Sequence, residues 1–314
     1  MTETPVFTVI LTAYNAEGTV KRITDEILHQ SFDDYEVIAV DDGSTDQTGV
    51  ILSSYAKEGK IRLISQENKG VSAARNAALD HTHGKYIFMV DADDEISGDC
   101  LAVFAGLMEK GQLGVAGYES RNEADGATVQ YVLEEGTISK EEAAARILRY
   151  RDLSSACWNK CFERKIIEDN HIRFDEELAI GEDMLFVTEY CMHIDTAACS
   201  SQIVYTYVRN TDSVMNEGNR KNAFQTKWIS EWKAVKKTEA VLSSNGIAIP
   251  ETKIKEARIA NKLLNLMHRY RYEDAELKKE LMQAVKDNCS IAVKEDEFTL
   301  KQKISMVLKK MGIG

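Results

Sequence analysis

The sequence predicts an α/β fold with a mostly parallel sheet, followed by a C-terminal helical region. Three observations carry this reading. Over the first 120 residues, short β-branched runs alternate strictly with segments of helical period. Polar residues gather just past the end of each predicted strand. From about Arg220 onward the period is almost entirely helical. Alternation of this kind implies right-handed βαβ units and a parallel sheet covered on both faces.

The predicted elements follow in order. Val6–Leu11 is a strand, and Glu17–Gln30 a helix with Val20, Ile23, Ile27 and Leu28 on one face. Tyr35–Val40 is the second strand, followed by a helix from about Asp46, which caps it, to Ala56. Ile61–Ser65, Val71–Leu79 and Tyr86–Val90 continue the alternation. Beyond Asp91 the pattern is mixed: helices at Leu101–Met108, Lys140–Tyr150 and Ile180–His193, strands at Leu113–Tyr118 and Ile203–Val208. Asn245-Gly246 and Pro250 break the helical region into a hairpin of two helices.

Charge divides the chain at nearly the same place. Residues 1–218 hold 19 Lys and Arg against 39 Asp and Glu, a balance of −20. Residues 219–314 hold 20 against 12, a balance of +8. Two domains are therefore expected, 1–218 and 219–314. The acidic part would repel nucleic acid, which excludes a DNA or RNA binder. An apolar fraction of 44% and only two prolines imply a packed core rather than a disordered chain. The six cysteines form no CxxC pair and no zinc pattern, and the histidines form no set: His171, His193 and His268 have no acidic or Cys partner at metal spacing. With no export signal and no run of 18 apolar residues, the expected location is the cytoplasm. Trp228 and Trp232, four apart on a helix, read as packing.

In a parallel sheet, ligands bind beyond the carboxyl ends of the strands. Here those ends carry Thr12-Ala13-Tyr14-Asn15, Asp41-Asp42-Gly43-Ser44-Thr45-Asp46, Asn68-Lys69-Gly70 and Asp91-Ala92-Asp93-Asp94. Each has a local explanation as a turn or cap. Four at successive strand ends do not. The last is the sharpest: unpaired carboxylates are costly to bury, and alternation points the two acids of an extended D-x-D the same way. Two oxygens on one side suit Mg²⁺ or Mn²⁺, with phosphate and water completing the shell.

The segments TAYNAEGTV, VIAVDDGSTDQT, NKGVSAARNAAL and FMVDADD together resemble the family 2 glycosyltransferases of the GT-A fold, in the family's order and spacing. The resemblance covers about residues 6–215. Thr12 departs from the commoner proline. It implies a Rossmann-like nucleotide-diphospho-sugar-binding fold and an inverting transfer to an acceptor hydroxyl, of the bacterial cell-surface polysaccharide type. The expected donor is a UDP-sugar. By the same resemblance Thr12, Ala13 and Tyr14, with Glu17 nearby, line the nucleobase and ribose pocket. Asp42 accepts a hydrogen bond from the base, Asn68 and Arg75 hold the base and diphosphate side, and Asp91 meets the ribose or the metal's outer ligands. Asp93 is the direct metal ligand, while Lys69 faces solvent.

Gly181-Glu182-Asp183 opens an amphipathic helix. Acids in a first turn are favoured by the helix dipole alone, so the residues by themselves leave an ordinary N-terminus and a catalytic site level. The family's E-D pair sits here, and it makes Asp183 the general base. Trp158-Asn159-Lys160 matches a W-N-K segment expected near the acceptor channel. Tyr207-Val208-Arg209 with Ser213 resembles a loop that folds over the donor diphosphate. Trp158, Lys160, Glu182 and Arg209 are thus candidate acceptor or diphosphate contacts. A nucleotidyltransferase of similar fold would usually show a Gly-rich loop after the first strand, absent here. A non-catalytic nucleotide-sugar-binding scaffold would not need both acidic pairs.

The segment Phe298–Gly314 carries Lys301, Lys303, Lys309 and Lys310 with no acid, while Leu300, Ile304, Val307, Leu308 and Met311 recur at helical spacing. Such a helix suits a membrane interface, and lipid-linked acceptors are frequent in the resembling family. The inner face of the plasma membrane is then the expected peripheral site. Packing on the helical domain, or on a second subunit in a homodimer, is the alternative.

Overall fold

The computed structural model describes residues 4–149, 152–209 and 223–312. The βαβ half follows the predicted order: β1 (Phe7–Ala13), α1 (Val20–Leu28), β2 (Tyr35–Asp41), α2 (Thr48–Lys57), β3 (Arg62–Ser65), α3 (Val71–Leu79) and β4 (Tyr86–Asp91). Then come β5 (Glu95–Ile96), α4 (Cys100–Met108), β6 (Leu113–Asn122), β7 (Thr128–Tyr131), β8 (Gly136–Ser139) and α5 (Lys140–Leu148). β9 (Lys160–Glu163), α6 (Arg164–Asp169), α7 (Glu182–Cys191) and β10 (Thr196–Arg209) complete the α/β part. The helical region holds α8 (Trp228–Ser244), α9 (Pro250–Tyr270), α10 (Ala275–Ala292) and α11 (Leu300–Lys310). The predicted hairpin is its first half, since two further helices follow.

Among the described residues one sheet contains ten strands, with the path β3-β2-β1-β4-β9-β6-β10-β5; β7 joins β6 and β8 joins β10. β3, β2, β1 and β4 are mutually parallel, and β10 runs parallel to β6. β9 enters antiparallel between β4 and β6, so β6 and β10 run the same way as β4. Thr12 pairs with Asp91 and Ala13 with Asp41, which brings the polar strand ends level at one edge.

Side-chain alternation divides the core between the two faces. Phe7, Val9 and Leu11 of β1 and Phe88 and Val90 of β4 pack with α1, α2 and α4. Ile10, Ile87 and Met89 point the other way, toward α3, α5 and α7. Trp228, Trp232, Leu263, Leu281 and Met306 of the helical region belong to that second cluster. The boundary expected near residue 218 falls outside the described residues, and buried side chains from both sides of it join one cluster.

Candidate active site

The loops after β1 and β2 are tied to each other. Asn15 takes a positive φ of 47°, a conformation Asn tolerates better than most residues. Its Oδ1 accepts from the Thr45 amide at 2.8 Å, and its own amide donates to Ser44 Oγ at 2.9 Å. Glu17 accepts from the Gln47 amide at 3.0 Å, and Asp46 accepts from the amides of Glu17 and Thr48. Glu17 therefore holds the start of α2 and is exposed. Tyr14, half exposed, stands at the mouth of this edge.

Asp42 is buried and holds the loop after β3. It accepts from Gln66 Nε2 at 2.7 Å and from the amides of Lys69 and Gly70 at 2.9 and 2.8 Å. A carboxylate offers about four lone-pair directions, so a further donor can still be accommodated. The loop lies so close that a Cβ on Gly43, whose φ is +74°, would sit 2.6 Å from the Asn68 amide nitrogen. Only glycine meets both demands there. Asn68 and Lys69 are exposed.

The centre of the site is Arg75, on α3 and 3% exposed. Its Nη2 donates to Asp91 Oδ1 at 2.9 Å, and its Nη1 to Asp183 Oδ1 at 2.6 Å, with Glu182 Oε1 at 3.5 Å. The guanidinium also lies 5.2 Å from the centre of the Phe174 ring. Thr12 Oγ1 donates to Asp91 Oδ1 at 3.4 Å, joining the end of β1 to the group. Three carboxylates surround one cation. Burial, then the charge of Asp183, pushes the Glu182 carboxyl up to about 7. Near neutral pH that carboxyl is therefore about half protonated. Sequence alone assigned Arg75 to the base and diphosphate side; the structure shows it bracing the two acidic segments against each other.

Asp183 is placed by three elements. The Cys157 amide donates to its Oδ2 at 3.2 Å. Gly181, at φ +92°, opens α7, and a Cβ there would meet Ala234 of α8 at 2.6 Å. Ser230 Oγ of α8 accepts from the Ile180 amide at 2.9 Å. The helical region thus grips the turn that launches Glu182 and Asp183.

Past β4, the two remaining acids part company. Asp93 is half buried and lines a cavity of about 410 Å³ with Thr19, Arg22, Glu95, Arg121 and Val208 among its walls. Asp94 is 1% exposed and accepts from the Tyr205 hydroxyl at 2.6 Å and the Val208 amide at 2.8 Å. The Asp91 amide donates to the same hydroxyl at 3.3 Å. Tyr205 was missed from sequence, and Asp94 was named at the strand end without a role of its own. A fourth-position acid next to D-x-D was the one available signal.

Two of the candidate acceptor contacts face inward. Lys160 is fully buried, its Nζ donating to the carbonyls of Leu153, Ser154 and Ala156 and to Asn159 Oδ1, all between 2.8 and 2.9 Å. An amine so enclosed does not reach an acceptor; it fixes the turn that leads to Cys157. Desolvation draws its pKa down to about 8. Trp158 is 8% exposed, stacked on Tyr205 at 4.7 Å and Tyr207 at 5.7 Å, with Tyr118 edge-on. It braces Tyr205, and through it Asp94. Lys160→Met is expected to destabilise the protein by about 2–4 kcal/mol, since several buried carbonyls lose their donor together. Urea unfolding of both proteins measures it. Arg209 is exposed at the end of β10, and Ser213 lies outside the described residues.

Comparison with known proteins gives the family and the fold. Residues 8–170, more than half of the chain, match the family described as glycosyl transferase family 2. The uncharacterized glycosyltransferase EpsJ of Bacillus subtilis (strain 168) is 27% identical over 216 residues, covering 67% of this chain and 63% of EpsJ. The match thus spans less than two thirds of that relative's length. Among solved structures, S. aureus TarS 1-349 in complex with UDP-GlcNAc superposes with a TM-score of 0.68 at 18% identity, over 98% of this chain and 88% of that one. The mannosyltransferase PcManGT of Pyrobaculum calidifontis, in complex with GDP-Man and Mn²⁺, gives 0.54 at 16% identity, over 99% and 88%. At such identities the likeness establishes the fold, which is GT-A. By its strand-end motifs, its sheet and the family pattern matched along residues 8–170, the chain belongs to glycosyl transferase family 2.

Proposed function

We propose that this protein is an inverting glycosyltransferase that moves a sugar from a UDP-sugar to a hydroxyl of a glycan or lipid-linked acceptor in cell-surface polysaccharide synthesis, at the cytoplasmic face of the membrane. The observation that carries the reading is the Asp91–Arg75–Asp183 bridge, built on a buried arginine. It joins the strand-end edge, where a nucleotide would sit, to a second carboxylate from a distant helix. TarS in complex with UDP-GlcNAc supports the choice of nucleotide.

A divalent cation fits the residues present. Among the described residues no group of three or more His, Cys, Asp or Glu is arranged to hold a metal unaided. A hard cation such as Mg²⁺ needs only one or two carboxylates when substrate phosphates supply the rest. Asp93, beside the cavity, offers one. Both Asp91 bonds to Arg75 and Thr12 fall on Oδ1, so Asp91 keeps an oxygen for a ligand or its water. When bound, Mn²⁺ or Mg²⁺ would offset the charge gathering on the leaving nucleoside diphosphate.

The chain's own residues supply the rest. Asp183 accepts the proton of the acceptor hydroxyl as that oxygen forms its bond to the anomeric carbon and the diphosphate oxygen departs. Arg75 and the Cys157 amide fix the direction in which Asp183 presents its carboxylate, which is what positioned base catalysis requires. The β1 and β2 loops, tied to each other through Asn15 and Glu17, hold the nucleoside side rigid. A thermal-shift screen of UDP, GDP and dTDP with and without Mn²⁺ tests the proposal. UDP with Mn²⁺ is expected to give the largest stabilisation, followed by release of UDP from a UDP-sugar in a donor-hydrolysis assay. Stabilisation by none of the three would overturn it.

A further inference from the structure

The tail helix α11 is fixed to the protein by its polar side. Thr299 and Gln302 form a reciprocal capping box at its start. Phe298, just before it, is 4% exposed with the Arg258 guanidinium 4.8 Å from its ring centre, and Glu297 pairs with Arg258. Ser305 Oγ donates to Asn261 Oδ1 at 2.9 Å. Lys309 is buried and donates to Asn261, Asn265 and Ser305 at 2.9, 2.7 and 2.6 Å. Met306 is the apolar contact, fully buried. These anchors set the helix's rotation.

That rotation turns the apolar stripe outward. Leu300 is 74% exposed, Met311 67%, Ile304 50%, Val307 41% and Leu308 40%. At about 100° per residue these five fall within an arc of roughly 100° centred opposite Ser305, Met306 and Lys309. Lys301 borders the arc on one side, Lys303 and Lys310 on the other. A surface helix ordinarily packs its apolar face and wets its polar one; here the order is reversed. A contiguous exposed apolar face marks an interaction surface. The alternative in which the stripe packs on the helical domain is excluded, and Lys309 leaves the set of surface cations.

We infer that the outward face of α11 docks on an anionic lipid surface, lying in the interface rather than crossing it. The flanking charge decides between this occupant and a second copy of the chain. Lysines on both sides of the stripe meet opposite charge on an anionic bilayer, whereas a two-fold pairing of the stripes would set lysine near lysine. The helix is 11 residues long, and none of the described helices is long and apolar enough to cross a membrane. Embedding to about 5–10 Å would seat the five apolar side chains among the upper acyl groups. The inference stands whether or not the transfer reading above holds.

Co-sedimentation of the full chain with phosphatidylcholine vesicles, with and without phosphatidylglycerol, tests it. The wild type is expected to pellet with the anionic vesicles far more than with the neutral ones. Each basic residue near an anionic surface contributes about a five-fold factor, so a Lys301→Gln, Lys303→Gln, Lys310→Gln variant should lose about 100-fold in partition coefficient. An Ile304→Asp, Leu308→Asp variant should lose binding to both vesicle types while keeping wild-type thermal stability, since both side chains lie on the exposed face. Failure of the wild type to bind anionic vesicles, or undiminished binding by the aspartate variant, would overturn the inference. Light scattering in solution distinguishes the other occupant: a wild-type dimer broken by the aspartate pair, without vesicle binding, would assign the face to self-association.

Discussion

Asp183→Asn is expected to lower kcat by about 10²–10⁴-fold while leaving the affinity for the donor nucleotide unchanged. The asparagine keeps the size of the side chain and can still offer an oxygen to Arg75, so the Asp91–Arg75 side of the cluster is preserved. What it loses is the ability to take a proton from the acceptor. It also turns an amide toward the Cys157 N–H, a cost of about 1 kcal/mol, visible as a lowering of Tm by about 2–4 °C. Donor affinity by calorimetry beside turnover at saturating donor separates the two effects. Glu182→Gln is the necessary partner in this experiment. With its carboxyl pushed up to about 7, Glu182 already carries a proton for much of the time near neutrality. Its amide should therefore retain most of the turnover. If instead Glu182→Gln lost the thousandfold and Asp183→Asn did not, the base would be Glu182.

The βαβ half was legible because β1, β2 and β4 are largely buried on both faces and read as apolar runs, with polar residues where each run stops. The antiparallel additions were not. β5 is two residues long, and β7 and β8, Thr128–Tyr131 and Gly136–Ser139, are mostly exposed and carry little apolar signal. β9 sits in the middle of the sheet yet reads Lys-Cys-Phe-Glu, because its lysine is solvated by carbonyls instead of water. β10 runs from Thr196 to Arg209, whereas Ile203–Val208 alone carries the bulk that predicts a strand. Its first half is small residues, and an irregularity in pairing between Ser200 and Ile203 breaks the alternation. At the site, every strand-end group could be found locally. The Arg75–Asp183 contact could not, since 108 positions separate the partners and an arginine inside a helix gives no sign of being buried. The same limit hid the roles of Trp158 and Lys160: their spacing showed a motif, and only packing shows that both face inward.

Asp93→Ala is expected to abolish transfer and to remove the Mn²⁺-dependent part of nucleotide binding. The argument rests on the different places of the acids after β4. Asp94 is enclosed, bonded to Tyr205 and Val208, and its burial together with Asp91 and Asp93 raises its carboxyl well above the usual range. An enclosed carboxyl already engaged by a hydroxyl and an amide is poorly placed to meet a diphosphate. Asp91 shares its Oδ1 with Arg75 and Thr12. Asp93 lines the cavity. Asp94→Ala should lower stability, because the Tyr205 hydroxyl and the Val208 amide are left without their acceptor. Titrating UDP into each protein, with Mn²⁺ and with EDTA, gives the decisive comparison. In the wild type the affinities should differ between the two conditions; in Asp93→Ala they should coincide at the EDTA value. Full wild-type turnover in EDTA, or a Mn²⁺ response that survives in the alanine variant, would remove Asp93 from the metal site and leave the strand end as a binding edge that works without a cation.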